Sequence, residues 1–122
     1  MAYEKQQNLV IKLAKLTQTG SVDWQQTLDD TVFRLSFKNN SILISLADSK
    51  DDTADVIISL LNESGQIVER FSDNDLRGEG ISQPVEGGWF KFMLNMYEKA
   101  RRSALGSDQV LDSIIKEIDS IK

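Results

Sequence analysis

The chain predicts an α+β domain: an N-terminal helix, a four-stranded antiparallel meander, and two C-terminal helices packed on one sheet face. Three observations carry this expectation. Apolar residues recur at helical spacing near both ends of the chain. Between residues 31 and 71 they alternate with a period of two instead. Short turns join the alternating runs, which makes neighbouring strands antiparallel and the sheet a meander in sequence order. The 122 residues fit a single domain spanning 1–122, without internal repeat, low-complexity tract or linker.

The first helix is expected over residues 3–18, where Leu9, Val10, Leu13 and Leu16 share one side and Lys5, Gln6, Lys12 and Lys15 fall mainly on the other. Gly20 supplies its stop, because glycine takes a left-handed conformation cheaply. Trp24 follows closely and is expected to tuck over one end of the core. Strands are expected over 31–37, 42–47, 56–62 and 66–71. In the first, Phe33, Leu35 and Phe37 oppose Val32, Arg34 and Ser36. In the second and third, Ile42, Ile44 and Leu46 oppose Leu43, Ser45 and Ala47, and Val56, Ile58 and Leu60 oppose Ile57, Ser59 and Leu61. The turn at 38–41 uses Asn39 and Asn40, which tolerate positive φ, and Gly65 suits a left-handed bulge position.

A turn-rich stretch, 72–83, precedes Pro84 and a long helix over 84–105, which Gly87 and Gly88 defer towards Trp89. Trp89, Phe90, Phe92, Met93, Leu94, Met96, Tyr97, Ala100 and Ala104 leave this helix only a narrow polar face. A helix so apolar calls for two packing partners, the sheet and another helix. Gly106 ends it and Ser107 is placed to cap the last helix, 108–121. That helix carries Val110, Leu111, Ile114, Ile115, Ile118 and Ile121 as an amphipathic stripe.

Composition removes much of enzymology. The chain has no Cys and no His, so it holds no disulfide, thiolate zinc site, Ser-His-Asp triad or imidazole base. The net charge of −5 is local. Residues 1–20 carry +2 (three Lys, one Glu), residues 21–82 carry −7 (five basic, twelve acidic), and residues 83–122 balance at six of each. An acidic middle argues against nucleic acid and anionic membrane surfaces as partners. Charges interrupt the apolar pattern of MAYEKQQNLVIKLAKL, so no secretory segment is read there, and no apolar run approaches the roughly 20 residues that span a bilayer. A soluble cytoplasmic protein is the expectation, with no cofactor implied.

Three candidate sites remain. Pleating places Arg34, Leu43, Ser45, Ile57, Ser59, Leu61, Val68 and Arg70 on the sheet face away from the helices. The last strand is ambiguous, since Ile67 and Phe71 share parity with Glu69, which must then lie at an edge or beyond the helical cover. This mixed face fits a protein partner or a second copy in a homodimer. A small-ligand pocket beneath Trp24 or Trp89 is the alternative. The carboxylates of the loop from Asp48 to Asp55 could attract a hard cation for metal-dependent hydrolysis, but their spacing does not follow the EF-hand pattern and Lys50 sits among them.

The layout resembles a loose class of small uncharacterised bacterial proteins with an α-β4-α order. The marks are Leu16-Thr17-Gln18-Thr19-Gly20 with Trp24 close behind, and Ala100-Arg101-Arg102-Ser103-Ala104-Leu105-Gly106 followed by Leu111-Asp112. The resemblance brings no catalytic residues. With the missing His and Cys, it leads to the expectation of a non-enzymatic interaction module.

Overall fold

The computed structural model describes residues 3–48, 54–76 and 88–121. Among the described residues it is an α+β arrangement of three helices and one antiparallel sheet in strict sequence order. The expected helix start at Pro84 and the loop carboxylates Asp51 and Asp52 lie outside the described residues.

Helix α1 (Glu4–Gln18) closes as its sequence demands. Gly20 adopts φ 72°. Its N–H donates to the Thr17 carbonyl at 3.2 Å, while the Ser21 N–H donates to Leu16 at 3.0 Å. This paired closure occupies two carbonyls that a helix end otherwise leaves bare. The turn delivers Trp24 over the end of α1, where its indole N–H donates to the Thr17 hydroxyl at 3.1 Å. That hydroxyl in turn donates to the Leu13 carbonyl at 2.8 Å.

The sheet has five strands where the sequence predicts four: β1 (Gln25–Gln26), β2 (Val32–Ser36), β3 (Ser41–Asp48), β4 (Ala54–Leu61) and β5 (Ile67–Ser72). The unforeseen β1 is two exposed glutamines held by backbone pairing with Arg34 and Phe33, so it has no side-chain alternation to read. The next three strands keep the predicted faces. Phe33, Leu35, Ile42, Ile44, Val56, Ile58 and Phe71 are buried on the inner side, each contributing about 1.5–3 kcal/mol of apolar burial.

One inner-face expectation changes, at Phe37, and the ambiguous residue Glu69 falls on the edge strand β5. Phe37 is not core: β2 ends at Ser36, the Phe37 N–H enters the hairpin turn by donating to Asn40 at 2.8 Å, and the ring is left 46% exposed. Glu69 lies opposite Leu60 on the helix-facing side, where it is reached by the Gln6 amide of α1. A polar group across from the strand resolves the parity conflict that the sequence left open.

Helix α2 (Gly88–Leu105) buries Trp89, Met93, Met96, Tyr97 and Ala100. It packs across β1 to β4 and along α1, the two partners its narrow polar face called for. Tyr97 stacks at a tilt on Phe33, centroids 5.7 Å apart, and its hydroxyl donates to the Thr31 carbonyl at 3.1 Å. Burial pushes this phenol above its ordinary pKa. Beside it, hydrogen bonds from the Thr31 N–H and hydroxyl hold the Asp29 carboxyl below the usual range.

Helix α3 (Ser107–Asp119) overturns the expectation that both C-terminal helices pack on the sheet. None of its residues is buried, and among the described elements α2 is the one it touches. The reason is occupancy. Among the described helices, α2 lies over β1 to β4 and α1 packs beside it and reaches Glu69 of β5, so these two take the inner face. Gly106, at φ 65°, ends α2 and itself takes the capping position expected of Ser107. Among the described residues, no helix is long and apolar enough to cross a membrane.

Candidate functional site

The outer sheet face is organised in rows. Backbone register aligns Gln25, Arg34, Leu43, Ser59 and Arg70 across all five strands. A second row runs through Val32, Ser45, Ile57 and Ser72. At one strand spacing of about 4.8 Å, Arg34 and Arg70 stand roughly 14 Å apart with Leu43 and Ser59 between them. Arg70 Nε donates to the Ser59 hydroxyl at 3.3 Å, and Arg34 Nη2 reaches Ser41 Oγ at 3.5 Å. Both contacts are long and weak. The guanidiniums therefore lie along the sheet over serines that are themselves buried.

Six of the eight residues expected on this face, Arg34, Leu43, Ser45, Ile57, Ser59 and Leu61, lie on it in register, and Arg70 extends the first row. Val68 departs. A register shift between Leu60 and Leu61 pairs Glu69 with Leu60 and Ile67 with Leu61, so Val68 is the extra residue of a bulge and Ile67 takes the place beside Leu61. Val68 also lines a notch with Leu9, Phe37, Ile42 and Leu60 at the hairpin ends. No described helix or strand covers the outer face, yet its aliphatic members Leu43, Ile57 and Leu61 are each partly shielded by their sheet neighbours.

The two tryptophans are built into the core. Trp24 is 2% exposed with its indole N–H bonded to Thr17, and Trp89 is buried with its ring edge-on to Phe92 at 6.0 Å. Neither offers a ring face to a solvent-borne ligand. Among the described residues no cluster of three or more potential metal ligands forms, and Asp48 to Asp55 is described only in part. Asp55 accepts a hydrogen bond from Asn74 at 2.9 Å. Asp73 is buried as a chain staple: its carboxylate accepts the Val56 N–H at 2.9 Å and its own N–H donates to the Val56 carbonyl. Asp75 accepts the Ser72 N–H at 2.9 Å. These acids of the 72–76 turn bond to backbone, the ordinary work of aspartate in turns.

Among the described residues, a run of exposed large apolar side chains lies on and just past α3. Val110, Leu111, Ile114, Ile115, Ile118 and Ile121 are 45–75% exposed. Among the described elements α2 alone touches α3, and it leaves this stripe exposed. At 100° per residue the five on α3 fall within an arc of about 140°, and Ile121 follows just past the helix end. Glu117 borders the arc on one side, Asp108 and Asp119 on the other, and Lys116 sits behind. The signal was present in the sequence as an amphipathic stripe. What the pattern does not contain is whether the stripe meets its own domain. No family model, curated protein sequence or solved structure matches this chain.

Proposed function

We propose that this chain is a protein-interaction module, without chemistry of its own, that docks through the apolar face of α3. The observation that carries the reading is five branched aliphatic side chains on one face of α3, with Ile121 just past its end, all exposed and outside the core cluster. Covering them is worth about 1 kcal/mol per half-exposed side chain, far more than a solvent-facing polar contact supplies. The lack of His and Cys fits a protein that binds rather than reacts. The outer sheet face is the second candidate, favoured by the row in which Arg34 and Arg70 flank Leu43 and Ser59 without a carboxylate partner among the described residues.

Photo-crosslinking in cells separates the two surfaces. A diazirine amino acid at Ile118 is expected to yield adducts with a second polypeptide, and the same group at Ile57 is not. Adducts from Ile57 alone move the function to the sheet, and adducts from neither position refute the interaction reading.

A further inference from the structure

The partner of α3 can be taken one step further, resting on the reading that its apolar face is a docking element. We infer that the stripe of α3 packs against α3 of a second copy of this chain. Leu111, Ile114 and Ile118 follow the alternating three-and-four spacing of a helix that pairs with a like helix, and Ile121 continues it just past the helix end. Val110 and Ile115 widen this seam on its two sides. No charged, aromatic or hydrogen-bonding side chain interrupts it, so nothing in the stripe requires a particular counter-group. Another aliphatic stripe of equal width satisfies it, and the chain supplies one with every copy.

The area is consistent with such a pair. At these exposures the six side chains offer on the order of 500 Å² per copy, as large as the biggest apolar patch an ordinary monomer carries. Two stripes face to face bury about 1,000 Å², the lower bound for a specific interface. The pair is therefore concentration-dependent rather than permanent. Two-fold symmetry closes it, since each stripe is covered by its counterpart and none is left to recruit a third chain.

Charge sets the main competing site. Residues 107–119 carry four acids (Asp108, Asp112, Glu117, Asp119) and one Lys116, so two paired helices repel at their rims. A groove between α1 and α2, lined by Ala14, Phe92 and Met96 among others, carries Lys91 and Lys99 on its α2 side, which would attract the same acids. Its apolar floor is only Ala14, Phe92 and Met96, too little to cover six aliphatic side chains. Rim charges in water contribute little beside apolar burial, so the like stripe is favoured over the groove.

Salt distinguishes them, because screening relieves repulsion in one arrangement and removes attraction in the other. Sedimentation equilibrium of the full chain over a wide concentration range, at low and high NaCl, reads both. The expected result is a reversible dimer that tightens with salt. Ile118→Asp should weaken it by at least about 100-fold, because a carboxylate cannot be buried in the seam unpaired. Since α3 contributes nothing to the core, this variant keeps its melting temperature in dilute solution, which shows that the body is folded. Leu111→Asp serves as the second seam variant, and the Lys91→Glu/Lys99→Glu chain should dimerise like wild type. A strict monomer overturns the inference, as does a dimer indifferent to both seam variants. A dimer abolished by the Lys91/Lys99 changes and weakened by salt also overturns it, in favour of the groove. A monomer whose Ile118 still crosslinks to another polypeptide refutes self-pairing alone and leaves the docking reading standing.

Discussion

Helices α1 and α3 begin from similar hydrophobic patterning and end in opposite environments. Both are short and amphipathic, at either end of the chain, yet α1 buries Gln7, Val10, Leu13 and Thr17 while α3 buries nothing. The difference lies in the polar residues on the buried side. In α1, the Gln7 amide donates to the Leu76 carbonyl at 2.8 Å, and Thr17 holds the Trp24 indole. Such buried bonds are satisfied in one docking position only, so they tie the helix to its own domain. The stripe of α3 is aliphatic throughout. Hydrophobic periodicity states that a face must be covered; polar groups within that face say by what.

The largest test sets one side chain from each helix against the other. Leu13→Ala should cost about 2–5 kcal/mol, because it removes buried contacts and leaves a cavity. Ile114→Ala, a similar truncation on an exposed face, should stay within about 0.5 kcal/mol in dilute solution. Urea unfolding at low protein concentration checks both. Comparable losses would mean that α3 belongs to the folded body and would erase the contrast.

A smaller effect isolates the polar tie. Gln7→Ala should cost about 1–3 kcal/mol, more than the deletion of an exposed glutamine, because the buried Leu76 carbonyl loses a donor. Gln18, exposed on the same helix, supplies the control: Gln18→Ala should change stability by less than about 0.5 kcal/mol. Equal losses from the two changes would remove Gln7 from the account of why α1 docks.

Much of the fold is legible in the sequence, and three features are not. Strand faces were legible because alternation has a period of two, so Phe33, Ile44 and Ile58 could point only one way once the turns were placed. The stops at Gly20, Gly65 and Gly106 were legible because positive φ favours glycine. Strand β1 was hidden, since pairing through backbone leaves no mark on Gln25 and Gln26. The bulge at Val68 was hidden for a related reason: one inserted residue shifts parity without changing composition. For the candidate site, the stripe residues of α3 were legible but their exposure was not. That depends on how much sheet α1 and α2 already cover, a sum over the whole fold rather than a property of residues 107–119.

The smallest effect concerns the polar contact that α3 does make with the body. Arg102, in the last turn of α2, donates to Asp108, in the first turn of α3, at 2.6 Å. The side chains are 54% and 82% exposed, so water screens the pair and its contribution to stability should be about 0–1 kcal/mol. Asp108 also sits where the positive end of the α3 dipole favours an acid. Asp108→Asn should therefore shift the unfolding midpoint hardly at all, with any loss shrinking further at high salt. Its effect should appear instead in the orientation of α3, read as faster exchange of the amides just after Gly106 while those of α1 and the sheet stay protected. A large drop in global stability from this substitution would mean that α3 is held to the body far more tightly than its exposure allows. The distinction between a helix tied down by buried polar groups and one left free for a partner would then fail.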